Sequence, residues 1–170
     1  MNTPGNKFRH AIADNNPLMV VGAVNAYCAK MAEKAGHKAL YLSGAGVANA
    51  SFGLPDLAIT TLNDVAEDSR RITQATNLPL LIDIDTGFGG AFSISRTIKE
   101  MIAADVAAVH IEDQVTQKRC GHRPNKSLVD KIEMSDRIKA AVDGRTDESF
   151  FIMARTDSYA TEGMNGAIDR

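Results

Sequence analysis

Short apolar runs recur along the chain at residues 19–24, 39–43, 80–84, 107–111 and 150–154, and each is followed by a stretch with apolar positions at helical spacing. A run of five or so apolar residues with no polar alternation is the pattern of a strand buried on both faces, and its alternation with amphipathic segments predicts βα units around a parallel sheet. The helices fall at 26–35, closed by Gly36, at 62–76, at 91–104, and at 131–142, closed by Gly144. Glycine just past the last periodic residue is a helix stop because it accepts positive φ without a Cβ penalty. A short helix at 6–14 precedes the first strand, and another begins near Gly163.

Polar residues gather where these strands end. Asn25 follows the first strand and Ser43 the second, Asp83 and Asp85 the third, Glu112 and Asp113 the fourth, Arg155 and Asp157 the fifth. In parallel α/β folds ligands bind at the carboxyl ends of strands, where the loops converge. Burying so many ionisable groups at strand ends for packing alone costs several kcal/mol each, so one shared site is the better reading. Five βα units do not close a barrel of eight, which takes roughly 250 residues. Either the sheet is open and doubly wound or, as the better reading, residues 1–170 are the amino-terminal part of a single (β/α)₈ catalytic domain, and a chain of this extent alone is expected to be inactive.

Composition narrows the partners. At 170 residues, 44% hydrophobic and 24% charged with a net charge of −2, the chain is typical of a globular protein, and its one basic tract is short and broken by Cys, Gly and Pro. No nucleic-acid partner is expected. No apolar run approaches ~18 residues and the first residues lack a basic-then-apolar leader, which predicts no membrane partner and a cytoplasmic location. Cys28 and Cys120 lie far apart, so reduced thiols are expected, with Cys28 packed on a helix face.

The tract 118–126 places Cys120 and His122 among Lys118, Arg119 and Arg123. Positive charge favours the thiolate, which makes Cys120 a candidate acid/base. Asp83 and Asp85, two apart at a strand end, point the same way and address one hard cation; Mg²⁺ commonly takes one or two carboxylates and fills the rest of its octahedron with water and substrate oxygens. Glu112 either holds a metal-bound water or ligand behind them or pairs with Arg155 or a loop cation. His110, inside a strand, is a hydrogen-bonded core residue. The turn Ser43, Gly44, Ala45 offers amides and a hydroxyl to a carboxylate. Asp56 lies in a long weakly periodic stretch, 44–60, where it approaches the metal through water or sits in a surface turn. Arg155 is either a clamp for a substrate carboxylate or the partner of Asp157 or Glu112.

Three tracts, residues 41–46, 83–89 and 118–126, resemble in type and order the isocitrate lyase and phosphoenolpyruvate mutase superfamily, over the chain from about Pro4 onward. The third is similar to the branch that acts on 2-methylisocitrate. The resemblance implies a (β/α)₈ barrel, a Mg²⁺ requirement, a tricarboxylic acid substrate split into pyruvate and succinate in propionate breakdown by the methylcitrate cycle, and homotetramers that exchange a carboxyl-terminal helix. It implies that Asp83 and Asp85 support the metal, that Ser43, Gly44, Ala45, Gly121, His122 and Arg155 bind substrate, and that Cys120 donates a proton. The proton acceptor is Tyr41 or Asp56. Ala45 departs from the glycine found in many relatives, and a further glutamate, an Asn-containing loop and the exchanged helix belong to later parts of such a barrel. The alternatives are a superfamily enzyme acting on isocitrate, oxaloacetate or a phosphonate, and an inactive fragment that binds a partner through its open sheet edge.

Overall fold

A computed structural model of the protein describes residues 3–170. Strands β1 (Val20–Gly22), β2 (Ala39–Leu42), β3 (Leu80–Asp83), β4 (Ala108–Glu112) and β5 (Phe151–Arg155) form one sheet. All neighbours are parallel and the order is sequential, β1-β2-β3-β4-β5. A doubly wound sheet reverses direction at a switch point, whereas this one steps the same way at each crossover, as the wall of a (β/α)₈ barrel does.

Helices α1 (Pro4–Asp14), α2 (Ala26–Lys34), α4 (Leu62–Ala75), α5 (Ala91–Ala103), α6 (Lys131–Gly144) and α7 (Tyr159–Asp169) accompany the strands, while α3 (Gly44–Gly46) is a single turn that runs into a π-helical turn at Val47–Ser51. Caps set the starts. Asn25 Oδ1 accepts from Cys28 N at 2.9 Å ahead of α2, Asp64 Oδ2 accepts from Thr61 N at 2.7 Å at the head of α4, and Asp130 Oδ1 accepts from Glu133 N at 2.8 Å before α6, each satisfying an amide that the helix leaves without a partner. The helical apolar faces meet the sheet in one core built on Leu40, Leu42, Leu80, Ile82, Ile84, Val109 and Ile111, all fully buried.

Three expectations change. Gly144 does not stop the fifth expected helix; it is the last residue of α6. A Cβ there would lie 2.6 Å from Ser95 O and 2.7 Å from Ser95 Cα, so this glycine serves the close approach of α6 to α5. The stretch 44–60 is not simply a loop, because α3 and the π-turn occupy its first half. Near the carboxyl end α7 starts earlier than expected and is kinked at Gly163, where φ is 74°. No helix among the described residues is long and apolar enough to cross a membrane.

Candidate active site

The register that aligns the strands also aligns their ends. Asp83 pairs with His110, and Glu112 with Arg155, so β3, β4 and β5 deliver an acid, an imidazole, a second acid and a guanidinium to one rim. Asp83 and Asp85 do converge, though not by strand alternation. β3 ends at Asp83, and Asp85 follows with φ 50°, its amide donating to Asp83 Oδ1 at 2.9 Å. This left-handed step, which Asp tolerates better than most residues, turns the second carboxylate beside the first. A Cβ on Gly44 would lie 3.0 Å from Asp85 Oδ1 and 3.4 Å from Asp83 Oδ2. The absent side chain is therefore what leaves room beside both acids.

Lys118, which the sequence marked only as a cation of the cysteine loop, reaches the acids: its side chain is 3% exposed, its Nζ lies 2.6 Å from Asp85 Oδ1, and it also donates to Asp56. Burial alone pulls the ammonium toward neutrality, but Asp85, Asp56 and Asp83 outweigh this and raise its pKa. Asp85 is raised to about 6 by burial and by Asp83, with Lys118 opposing. Its Oδ1 receives no well-directed hydrogen bond among the described residues, so the contact with Lys118 is an ion pair without hydrogen-bond alignment. Buried, crowded carboxylate oxygens beside a gap suit a hard divalent cation, and two acids are the usual protein share for Mg²⁺. No group of three or more His, Cys, Asp or Glu forms a closed metal cage among the described residues.

Tyr41 and His110 face each other from β2 and β4. Tyr41 Oη and His110 Nε2 are 2.9 Å apart, the rings stack, and His110 Nδ1 faces Asp83 Oδ1 at 3.7 Å. Burial lowers the His110 pKa, with Asp83 opposing, and burial together with Asp83 raises that of Tyr41. Both groups are thus neutral near pH 7. His110 Nδ1 has no hydrogen-bond partner among the described residues, and a neutral ring protonated there, on the side of Asp83, leaves Nε2 to accept from the phenol. Tyr41→Phe strands that buried nitrogen and is expected to cost about 1–3 kcal/mol, read as a lower urea midpoint at unchanged m-value.

Glu112 is 1% exposed, with Oε2 3.3 Å from Arg155 Nη1 and Oε1 accepting from Gln114 Nε2 at 2.9 Å. Arg155 reaches Asp157 as well, at 3.3 Å. Of the two readings of Arg155, the ion pair is present, and a side chain still 33% exposed also faces outward. Burial lifts Glu112 to about 8 against the pull of Arg155. Because that value stands above the ordinary 4.5, its contribution to stability is complete below 4.5 and is lost as pH rises through about 8. Asp85, also raised, acts with the same sign at lower pH. The urea midpoint is therefore expected to fall from about pH 5 to about pH 9, and Glu112→Gln to flatten the upper part of that fall. 

Ser43 caps α3, its Oγ accepting from Gly46 N at 2.7 Å, and Gly44 N donates to Asp83 Oδ2 at 3.3 Å. The Gly44 amide and the Ser43 hydroxyl oxygen of the expected carboxylate nest are thus engaged within the protein. The cysteine loop lies over this rim. Cys120, Arg119 and Arg123 line a cleft of about 490 Å³ whose opposite wall includes Ala45, Asn49 and Asp56. Cys120 Sγ is 3.8 Å from the exposed His122 Nδ1. Gly121 sits against Arg155, since a Cβ there would come 2.1 Å from Nη2. The site residues of the sequence reading thus fall into two linked groups. Asp83, Asp85, Glu112, Tyr41 and Arg155 lie at the strand ends, Cys120, Asp56 and Ala45 line the cleft, and Lys118 joins Asp56 to Asp85.

Gln114 went unnoticed in the sequence. Its amide donates to Glu112, to Asp157 Oδ2 and to Arg119 O, all at 2.9 Å, and its Oε1 accepts from Arg119 N at 3.0 Å. It pins the loop to the acids, and only its place just after the fourth strand's acidic pair hinted at a role.

Comparison with known proteins adds a consistent context. The chain is 65% identical over 168 residues to 2-methylisocitrate lyase of Vibrio cholerae and 66% identical over 166 residues to that of Shewanella oneidensis, covering 99% and 98% of this chain but 54% and 57% of those proteins. It spans a little over half the length of these curated relatives. Among solved structures, oxaloacetate acetylhydrolase in complex with 3,3-difluorooxalacetate superposes with a TM-score of 0.92 at 37% identity over 98% of this chain and 58% of that one. A phosphonopyruvate hydrolase complex with oxalate and Mg²⁺ gives 0.83 at 29% identity, over 98% and 57%. The family model described as phosphoenolpyruvate phosphomutase matches residues 8–170, and with the barrel-order sheet and the acids at its strand ends this shows that the chain belongs to that family.

Proposed function

We propose that the whole protein is a Mg²⁺-dependent carbon–carbon lyase that cleaves 2-methylisocitrate into pyruvate and succinate, with residues 1–170 as the amino-terminal part of its barrel domain. The observation that carries the reading is the cleft in which Cys120 faces Asp56, with Asp56 tied through Lys118 to Asp85. Identity of 58–66% to proteins named 2-methylisocitrate lyase supports the substrate, and the Mg²⁺ in a family neighbour supports the cofactor.

Asp83 and Asp85 would hold the cation, with Glu112 behind them. When bound, Mg²⁺ supplies positive charge to the 2-hydroxyl and adjacent carboxylate of the substrate and to the keto acid that forms. The hydroxyl proton passes to a base. A phenol held neutral by burial is a poor acceptor of the proton, so Asp56 takes this role, and Tyr41, whose O–H is given to His110 Nε2, offers the substrate only an oxygen lone pair. As the carbon–carbon bond breaks, its electron pair moves onto the succinyl carbon and delocalises into the neighbouring carboxylate. The Cys120 thiol then delivers its proton to that carbon, with the Gly121 amide and His122 beside the developing charge. Ser43, Gly44 and Ala45 flank one carboxylate, and Arg155 offers its outward N–H groups to another. The resemblance extends the reading to a cytoplasmic homotetramer in propionate breakdown.

A panel of 2-methylisocitrate, isocitrate and oxaloacetate tests it. Pyruvate and succinate are expected from the first with the highest kcat/KM; preference for isocitrate or oxaloacetate would refute the assignment. Hydrophobic discrimination of one methyl group is worth only about 1–3 kcal/mol, so the ratio to isocitrate should lie within roughly 10–200-fold.

A further inference from the structure

We infer that the pocket between the starts of α4 and α5 is a second ligand site, separate from the cysteine cleft, and that it takes the phosphate group of a small phosphate monoester. The pocket measures about 340 Å³ and shares no lining residue with the cleft of Cys120, and such a volume stands at the small end of the range for small-molecule sites. The inference needs neither the metal nor the lyase assignment. Its first ground is a pair of buried hydroxyls. Thr60 is 9% exposed and Thr86 5%, and both line the pocket. Neither hydroxyl has a hydrogen-bond partner among the described residues. A hydroxyl kept from bulk water without a partner costs free energy, and an acceptor oxygen seated in the pocket removes that cost.

Two further donors stand around the same space. Helix α4 runs for 14 residues, and its first two amides, Leu62 N and Asn63 N, donate to no acceptor among the described residues, although both residues line the pocket. Unbonded amides at the positive end of a helix favour an anion. Arg96, exposed on α5, lines the pocket from the other side, and no acid pairs with it among the described residues; Glu100, one turn further on, is held by Arg70 at 3.3 Å. The acids nearby are already engaged. Asp64 Oδ2 accepts from Thr61 N at 2.7 Å and from Thr61 Oγ1 at 2.8 Å, and Asp85 meets Lys118. Amides, hydroxyls and a guanidinium with no free carboxylate among them suit an oxyanion and repel a cation. A phosphate monoester carries a charge of about −1.5 to −2 near pH 7 and three strong acceptor oxygens, enough to meet Arg96 in a bidentate pair and the amides or hydroxyls as well, whereas a carboxylate has only two. Leu62 and Phe88 offer an apolar wall to the carbon portion.

The test is a titration of the isotope-labelled protein with glycerol 3-phosphate, followed by amide resonances and by calorimetry, with glycerol and acetate as control arms. The Leu62 and Asn63 amide protons are expected to move downfield together along a single isotherm, as amides do when they gain a charged acceptor. Arg96→Met, a change at an exposed position, should weaken binding by about tenfold or more, and Thr86→Val, which keeps the shape and removes the hydroxyl, by roughly three- to tenfold. Glycerol should leave those amides unmoved and acetate should bind more weakly. Inorganic phosphate moving the same two amides would show that the phosphate group itself is recognised. No shift at Leu62 and Asn63 overturns the inference, as does a folded Arg96→Met that binds with the parent's affinity. Shifts confined to residues 119–123 place the anion in the cysteine cleft and overturn it too, and acetate binding as tightly as the monoester overturns the phosphate class. Each of these results leaves the lyase assignment where it stands.

Discussion

Asp85→Asn is expected to abolish tight Mg²⁺ binding and, in the whole protein, turnover with it. Asp85 Oδ1 borders the gap beside Gly44 and carries the charge that Lys118 neutralises. The amide keeps the shape and the φ of 50° that Asn also accepts, but it removes the anion a hard cation needs. A loss of about 100-fold or more in Mg²⁺ affinity is expected, in line with deleting a charged oxygen donor from a site that has only two. Isothermal titration gives the affinity, and circular dichroism shows that the fold survives. Lys118, left with Asp56 alone, costs the variant some stability. Gly44→Ala should reproduce the binding defect from the other side by filling the gap while leaving both acids charged. Equal affinity in the parent and Asp85→Asn would remove Asp85 from the metal site.

Cys120→Ser in the whole protein is expected to lower kcat by about 10²–10⁴, the range over which a positioned proton donor contributes, while leaving KM for 2-methylisocitrate and Mg²⁺ affinity within about threefold. Cys120 lines the cleft with Asp56 and is hydrogen-bonded to none of the acids at the strand ends among the described residues, so its loss should strike a chemical step and spare metal binding. Serine preserves size. Its hydroxyl is a far weaker acid than the thiol, and the intermediate then waits for solvent. A variant with undiminished kcat would transfer the proton donor's role elsewhere, His122 being the neighbour at 3.8 Å.

These expectations draw on features of unequal legibility in the sequence. The strands were readable because doubly buried segments such as Leu80–Asp83 and Ala108–Glu112 leave nearly unbroken apolar runs, and the helices because faces such as Val65, Ser69 and Ile72 recur at helical spacing and are buried together. Strand order was not fixed by the pattern, since a barrel portion and a doubly wound sheet are built from βα units of the same length. Nor was the π-turn at Val47–Ser51 legible, because its buried Val47 and Ala48 are followed by exposed polar residues that match neither period.

At the site, the acids and the cysteine loop were legible as chemistry-bearing residues at strand ends, and their mutual contacts were not. Asp85 was read as continuing the strand, whereas its left-handed backbone breaks the alternation and brings the carboxylates together by a turn. Lys118 was read by its neighbours in sequence and so assigned to the thiol. A long aliphatic stem carries a lysine charge well away from its own backbone, and the charge settled where buried carboxylates stabilised it most. The pairing of Tyr41 with His110 spans two strands, with β3 between them, and becomes visible only once strand order is known.

The central claim is that the carboxylates at the end of β3 and the thiol of the 118–126 loop serve one ligand space. It is tested most directly by attaching a trifluoroethylthio group to Cys120 and recording its fluorine resonance as Mn²⁺ is added to the folded chain. The expected result is a line broadened severely by one equivalent of ion, restored by chelation, and left sharp in Asp85→Asn. A resonance that stays sharp while Mn²⁺ is bound in stoichiometric amount would place the ion away from the cysteine and contradict it.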